Sequence, residues 1–225
     1  MAEKKNMFRD LKANEIIIKA MVRDDKEIVL VLYKDARVDM AILDETVKPY
    51  GWQRKYPRGN DYCEVSIKCP ETQEWITKGD YGAGDFGSNA DKGVASDSFK
   101  RACFNWGIGI ELYTSPSIRL PLSAFNVVRG VVKDTFEVST LVVEDKKIVS
   151  LEVVKSEGGK VVFSLFDGKV LKIEFTKSPR VLLTEYAKTN GIELKTIAQQ
   201  YKLNGKSVDE DFARALEGLQ SGKTN

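Results

Sequence analysis

Hydrophobic residues near the start of the chain form two short runs, and a helical stripe follows them. The runs at 16–22 and 28–33 are β-branched and aliphatic, and a polar turn separates them. They predict an antiparallel hairpin. Asp35 then stands where a helix cap belongs, and apolar residues follow it at spacings of three and four. Pro49 and Gly51 mark the end of this predicted helix.

The middle of the chain changes to alternating residues and then to a second helix. Strands are predicted over 52–56, 62–69 and 74–81, with proline-bearing turns between them. A glycine-rich segment at 82–93 leads into a helix predicted over about 92–106. The apolar stripe of that helix consists of Ala95, Phe99, Ala102, Cys103 and Trp106.

The last third of the chain predicts a three-stranded meander and then helices. The strands of the meander are 136–143, 148–155 and 160–166, and helical patterns begin at about residue 179. Together these patterns predict an α+β fold: an antiparallel β-sheet packed on helices, followed by the meander and a helical C-terminal tail. The corresponding predicted parts are residues 1–115, 116–175 and 176–225.

Composition removes many catalytic possibilities. The chain has 35 Lys and Arg residues, 33 Asp and Glu residues and no histidine, which gives a net charge of +2. Without histidine, histidine-dependent catalysis and the usual zinc, haem and non-haem iron sites are excluded. The near-neutral balance also argues against binding nucleic acid through bulk charge, so any such binding must come from a local patch.

The apolar runs do not predict a membrane-spanning helix, and the cysteines do not predict a disulfide framework or a metal site. The longest strongly apolar run, 28–33, is far shorter than the roughly 20 residues of a membrane-spanning helix, so no membrane partner is expected. Cys63, Cys69 and Cys103 lack the spacing of a disulfide framework or a metal knuckle. We expect them to be reduced thiols in a cytoplasm.

Two short motifs match enzymes only in part. The glycines at 82–87 satisfy GxGxxG, but the strand before them carries Lys78 and Asp80, where a central parallel strand is apolar. A D-x-K fragment of metal-dependent nucleases occurs at 145–147 and again at 167–169. Both copies fall in predicted hairpin turns, where such residues are expected anyway. A metal-dependent nuclease nevertheless stays an alternative.

One segment concentrates positive charge among aromatic residues. Residues 48–59 contain no acid, and their four cations are Lys48, Arg54, Lys55 and Arg58. Tyr50, Trp52 and Tyr56 lie between them. Cations can contact phosphates while aromatic faces stack on unpaired bases, so the segment is typical of a single-strand-binding surface. The other interpretation is a solvated edge strand, and we expect Trp52 to enter the core in either case.

The second helix presents further cations opposite its apolar stripe. Lys92 and Lys100 lie on one polar ridge, and Asp97 and Arg101 lie on the next. Asp97 and Arg101 are four residues apart and are predicted to pair. The helix can therefore bury one face and still present positive charge on the other.

The stretch KGVASDSFKRACFNWGIGIELY, residues 92–113, resembles the signature of the Rad-fifty-two-type single-strand annealing proteins, particularly the Sak-like annealases of bacteriophages. In that family an acidic residue and a Lys-Arg pair lie on a helix that ends in an aromatic-glycine segment. The segments 33–38, 43–44, 49–53 and 79–82 and the meander are similar to further blocks of the family, in the same order. The resemblance covers about residues 8–170.

The resemblance implies a β-β-β-α core, a homo-oligomeric ring and a groove that holds single-stranded DNA with its bases exposed. It implies DNA contacts at Arg37, Lys100 and Arg101, and a basic position matched by Lys92. A further basic position of some eukaryotic members is Phe104 here. We add Arg54, Lys55, Tyr56 and Arg58 as candidate DNA-binding residues from the aromatic, basic segment alone.

The predicted function is ATP-independent binding of single-stranded DNA and annealing of complementary strands, in homologous recombination and DNA repair. The protein is then not an enzyme and needs no cofactor. Its expected partners are a single strand and its complement, further copies of itself and a host single-strand-binding protein, in the cytoplasm of a phage's bacterial host. The alternatives are a monomeric or small-oligomer single-stranded DNA-binding protein that does not anneal, and the nuclease named above.

Overall fold

The computed structural model describes residues 7–83 and 90–222 and has an α+β fold. Its described helices are Ala36–Val47 (α1), Ala90–Phe104 (α2), Pro179–Thr189 (α3), Leu194–Gln200 (α4) and Asp209–Gln220 (α5). Its described strands are Ile16–Val22 (β1), Glu27–Lys34 (β2), Trp52–Lys55 (β3), Tyr62–Lys68 (β4), Trp75–Tyr81 (β5), Ile118–Pro121 (β6), Val127–Val128 (β7), Val131–Val132 (β8), Phe136–Glu144 (β9), Lys147–Lys155 (β10), Val161–Phe166 (β11) and Lys169–Val170 (β12).

The first sheet has the strand order β1-β2-β6, and both of its pairings are antiparallel. The hairpin predicted from the first two apolar runs is confirmed. The third strand, β6, was not predicted, because Pro116 precedes it closely and Pro121 is its last residue. Ile118 and Leu120 of β6 are buried, so this short strand covers β2 and joins the first sheet across the boundary predicted at residue 116.

Helix α1 forms where its cap and its apolar spacing predict it. The side chain of Asp35 accepts a hydrogen bond from the backbone N–H of Arg37 at 2.8 Å, which confirms the predicted cap. The helix ends at Val47 and leads into a tight turn. A Cβ added at Gly51 would lie 1.9 Å from the carbonyl oxygen of Val47, so this turn requires glycine.

The second sheet, in the order β3-β4-β5, lies against α2. Strand β5 pairs antiparallel with β4 and is not the central strand of a βαβ unit, which removes the parallel sheet that a dinucleotide loop needs. Residues 84–89 of the glycine-rich segment lie outside the described residues. The core between sheet and helix includes Cys63, Val65, Ile67, Phe99, Ala102 and Cys103, all buried.

The predicted meander is present as β9, β10 and β11, to which β12 adds a short fourth strand. The C-terminal helices form a small hydrophobic core of their own, made of Leu183, Ala187, Ile197, Phe212 and Ala215. Lys155 of β10 ties the two parts together, because its ammonium lies 2.7 Å from Asp134 and 2.6 Å from Asp209. No helix within residues 7–83 and 90–222 has the length and apolar character needed to cross a membrane.

Candidate nucleic-acid interface

Helix α2 is the element on which the candidate interface is built. Phe99, Ala102 and Cys103 are fully buried and fix one side of the helix against the sheet. Replacing a buried phenylalanine such as Phe99 with alanine costs about 3–5 kcal/mol, so this side of the helix is firmly held. Burial also raises the pKa of the Cys103 thiol well above its ordinary value. Burial raises that of Cys63 to about 11, so both core cysteines stay protonated.

The two cations of the Lys-Arg pair have different surroundings. The side chain of Lys100 is 22% exposed, and its ammonium lies 4.0 Å from Asp97. Arg101 is 40% exposed and lies 3.5 Å from the carboxylate of Asp80 on β5. The predicted pair between Asp97 and Arg101 is therefore wrong. The neighbouring strand supplies a carboxylate that reaches Arg101, and Asp97 instead accepts a hydrogen bond from the backbone N–H of Ala83.

Lys100 lines a cavity of about 270 Å³ between β2, α2 and the helical turn at Ile110–Thr114. We call this cavity the aromatic pocket. Its other lining residues include Leu32, Tyr33, Phe104, Leu112 and Tyr113. Arg101 extends beside the pocket and donates a hydrogen bond to the hydroxyl of Tyr113 at 3.3 Å. The pocket therefore combines aromatic and aliphatic walls with the two cations that the family resemblance selected.

A buried ion pair supports the pocket from the core side. Lys34, which also lines the pocket, is 1% exposed, and its ammonium lies 2.5 Å from the fully buried carboxylate of Asp39. The same ammonium lies 4.3 Å from the centre of the Phe104 ring, a cation–π contact. A Cβ at Gly109, whose φ is +71°, would lie 2.2 Å from Cε of Lys34, so the chain passes closely over the lysine stem.

The surroundings of Asp39 shift the pKa of its carboxyl toward neutral pH. Burial raises the pKa of Asp39 to about 6, against the attraction of Lys34, which lowers it. At neutral pH the carboxylate is thus ionised and balances the lysine. The pair fixes the backbone on both sides of Arg37, whose side chain is 85% exposed and is held only loosely by Asp35 at 3.9 Å. Arg37 is consequently a cation that faces solvent from a rigid helix start.

The basic segment after α1 supplies three further cations, Arg54, Lys55 and Arg58, which together with Tyr56 we call the β3 patch. The guanidinium of Arg54 lies 5.0 Å from the centre of the Phe99 ring, and that of Arg58 lies 5.0 Å from the ring of Tyr62. Arg58 also donates a hydrogen bond to the hydroxyl of Tyr81 at 2.9 Å. These contacts hold two exposed guanidinium groups in defined places while leaving them accessible.

The aromatic residues of the segment are partly used by the fold. The hydroxyl of Tyr56 donates to the backbone carbonyl of Ala95 at 3.2 Å, and the ring packs against the core. Trp52 packs there too, as expected, but stays half-buried because its indole N–H donates to Asp44 at 2.7 Å. Tyr50, in contrast, is 93% exposed. Tyr56 thus links the β3 patch to α2, and a stacking role for it stays a prediction.

Two of the predicted cations are exposed to solvent, and two cations near the candidate site were not predicted. Lys55 and Lys92 are exposed, with Lys92 in the first turns of α2. Lys78 of β5 donates to the backbone carbonyl of Asn105 at 2.8 Å and lies 4.5 Å from the Trp106 ring. The sequence of an exposed strand does not distinguish such a lysine from one that only faces solvent. Lys34 did carry a signal, because it ends a strand that is otherwise apolar.

The fragments that suggested a nuclease lie in turns. Asp145 and Asp167 both have a φ of +47° and lie in the hairpin turns that join β9 to β10 and β11 to β12. Within the described ranges, no group of three or more Cys, Asp or Glu side chains is placed to hold a metal ion. The geometry of these residues gives the nuclease alternative no support.

Comparison of the chain with protein-family models, with curated proteins and with solved structures finds no match. Three features of the chain itself therefore indicate its function: the aromatic pocket, the cations around it and the pattern of residues 92–113.

Proposed function

We propose that this protein binds single-stranded DNA and anneals complementary strands without ATP, as a homo-oligomeric ring that acts in homologous recombination and DNA repair. The observation that carries the proposal is the aromatic pocket with Lys100 in its lining and Arg101 beside it. Proteins that bind single strands combine cations for the phosphates with aromatic faces for the bases. The Rad-fifty-two-type pattern on α2 selects the same two cations independently.

Annealing suits a chain with this kind of site. Base pairing and stacking release about 1.4 kcal/mol per step, so joining complementary strands is downhill and requires no nucleotide hydrolysis. The protein has to neutralise phosphates, keep each strand free of secondary structure and hold it in order. Cations such as Arg37, Lys100, Arg54 and Arg58 serve the first task.

A ring explains how a chain of net charge +2 can bind DNA. Each subunit contributes only a few cations, and many copies acting on one strand multiply a weak contact into a tight one. The relevant charge is that of the interface repeated around the ring. By the same proposal the protein works in the cytoplasm of a phage's bacterial host, where a host single-strand-binding protein is its expected partner.

The decisive experiment mixes two complementary labelled strands with the protein, in the presence of chelator and the absence of ATP. We expect faster duplex formation than without protein. The Lys100→Ala/Arg101→Ala variant should bind a single strand more weakly and with a flatter salt dependence, by roughly 0.7 in slope for each lost phosphate contact. The matched control, Lys188→Ala/Lys195→Ala, removes two exposed lysines from the C-terminal helices and should behave like the parent.

The other outcomes point to other functions. Binding without faster annealing, by a monomer, would replace the proposal with a simple single-strand-binding protein. Strand cleavage that appears only when magnesium is added would indicate a nuclease. Unchanged binding in a folded, oligomeric Lys100→Ala/Arg101→Ala variant would contradict the assigned interface.

A further inference from the structure

We propose that the aromatic pocket is a binding site for one unpaired nucleobase of the bound strand. The inference rests on the proposed single-strand binding and adds a defined place for a base to it. The size of the cavity supports a small ligand, because its volume of about 270 Å³ lies below the roughly 300 Å³ at which pockets for drug-sized molecules begin. One base fits that scale better than a whole nucleotide.

The walls of the pocket have the chemistry that a flat aromatic ring requires. Tyr33 and Tyr113 are 39% and 61% exposed, so their rings remain available at the rim. Phe104, Leu32 and Leu112 supply the apolar walls. Bases removed from a stack are characteristically held between aromatic and apolar side chains.

The polar groups of the pocket match the edge of a base. The ammonium of Lys100 belongs to the lining, its side chain is 22% exposed, and it carries three N–H donors. It can therefore donate to an acceptor on a ligand in the pocket. Carbonyl oxygens and ring nitrogens of bases are such acceptors. The carboxylate of Asp97, also in the lining, can accept from an exocyclic amino group.

The cations place the rest of the strand. Lys100 lines the pocket, and Arg101 is held beside it by Tyr113, so a strand with one base inside has phosphates within reach of both. Each subunit then anchors one base, and the bases between neighbouring anchors stay free to pair. The pocket thereby sets the register of the strand, while the cations supply most of the affinity.

The test compares two ligands of equal length and equal charge: an oligothymidylate and a strand of abasic deoxyribose phosphates. A base pocket predicts that the protein prefers the thymine strand by at least about tenfold under the same salt conditions. Tyr33→Ala/Tyr113→Ala removes the exposed rings, and Leu112→Trp fills the cavity. Both variants should lose most of that preference and retain their affinity for the abasic strand. Phe166→Ala, which deletes an exposed ring from β11, should keep it.

Each outcome decides between the two proposals. A preference that survives in both pocket variants, or equal binding of the two strands by the parent protein, overturns the base pocket and leaves single-strand binding intact. Binding of neither strand overturns the proposed function itself. If Leu112→Trp fails to fold, as shown by its thermal unfolding curve, the tyrosine variant decides alone, because its two side chains lie at the surface.

Discussion

The buried pair beneath the pocket predicts an asymmetry between its two partners. Removing Lys34 and removing Asp39 break the same contact, yet they leave different charges in the core. A carboxyl can escape its charge by taking up a proton near neutral pH, whereas a lysine, with an ordinary pKa of about 10.4, releases its proton far less easily. We therefore expect Lys34→Met to be much milder than Asp39→Leu.

The magnitudes follow from the pKa of Asp39. Burial raises it from 3.8 to about 6, even against the attraction of Lys34, and each pKa unit corresponds to about 1.36 kcal/mol. Relative to the protonated form at low pH, ionisation of the carboxyl thus lowers the free energy of unfolding by about 3 kcal/mol at pH 7, although the protonated form still accepts the hydrogen bond of Lys34. A carboxyl that stays protonated at pH 7 costs at most about 4 kcal/mol by the same conversion. Losing the lysine therefore adds no more than about 1 kcal/mol from this source.

Removing Asp39 is expected to destabilise the protein more than removing Lys34. Asp39→Leu removes the hydrogen-bond acceptor as well as the charge, so the ammonium of Lys34 stays buried without the hydrogen bond that even a protonated Asp39 can accept. Breaking a buried ion pair by removing one partner in this way costs about 3–5 kcal/mol. The double variant Lys34→Met/Asp39→Leu leaves no charge in the core and should recover most of that loss, since well-packed apolar replacements of buried pairs are often neutral.

The pH dependence gives a second, independent check. The folded-state pKa of Asp39 lies above its unfolded value, so its contribution to stability is greatest below about pH 3.8 and is lost as the pH rises through about 6. Without Lys34 the pKa is higher still. In Lys34→Met the decline should continue above pH 6, by up to about 1.4 kcal/mol per pH unit.

Urea unfolding of the parent and the three variants at pH 5, 6, 7 and 8 measures all of these quantities. Equal losses for Lys34→Met and Asp39→Leu at pH 7 would refute the reasoning. So would a Lys34→Met variant whose stability relative to the parent is the same at pH 6 and pH 8. Either result would mean that Asp39 does not carry the buried charge that its surroundings indicate.

Two further predictions concern the frame of the site. Gly109→Ala should lower the free energy of unfolding by about 1–3 kcal/mol, because its φ is +71° and the new Cβ would lie 2.2 Å from the buried lysine stem. Gly191→Ala, at a φ of +66° with open space around the new Cβ, should cost less in the same urea titration. Arg9→Met should cost about 1 kcal/mol at pH 7 and little at pH 3. Burial opposes the charge of Glu15, but Arg9 lowers the pKa of both Glu15 and Glu45, so their stabilising contribution is present above about pH 4.5 and is lost on acidification. A loss in Arg9→Met that is the same at both pH values would contradict this.

The fold was predictable wherever a local pattern decides it. Alternation and helical spacing predicted α1, α2, the β1-β2 hairpin, the strands β3 to β5 and the meander, because each of these elements buries one face of its own segment. Strand β6 escaped prediction because its reason to exist lies about 90 residues earlier, where β2 offers it a free edge at Ile28–Leu30. A four-residue strand that ends in a proline carries too little local signal to show this.

The candidate site likewise has features that the sequence could suggest and features that only the fold brings together. Helix spacing in α2 predicted only that Lys100 and Arg101 can face away from the apolar stripe, and the family resemblance selected them as candidate DNA contacts. The partner of Arg101 could not be predicted, because spacing along the helix favoured Asp97 while the fold brings Asp80 to it from β5. The pocket was equally hidden, since its lining comes from three separate segments of the chain.

If the protein binds single-stranded DNA as proposed, the contacts of its exposed cations explain how so small a net charge is enough. Three of them lie against aromatic rings in the structure: Arg54 on Phe99, Arg58 on Tyr62 and Lys78 on Trp106. Ordering a free lysine or arginine side chain on binding costs about 0.5–1.5 kcal/mol, and a side chain already held by a ring has met part of that cost during folding. Under the proposal, a few such cations in each subunit bind a phosphate chain more effectively than the same number on flexible side chains. Because two of those rings belong to α2 and its C-terminal turn, the helix that presents Lys100 and Arg101 also holds the neighbouring charge in place.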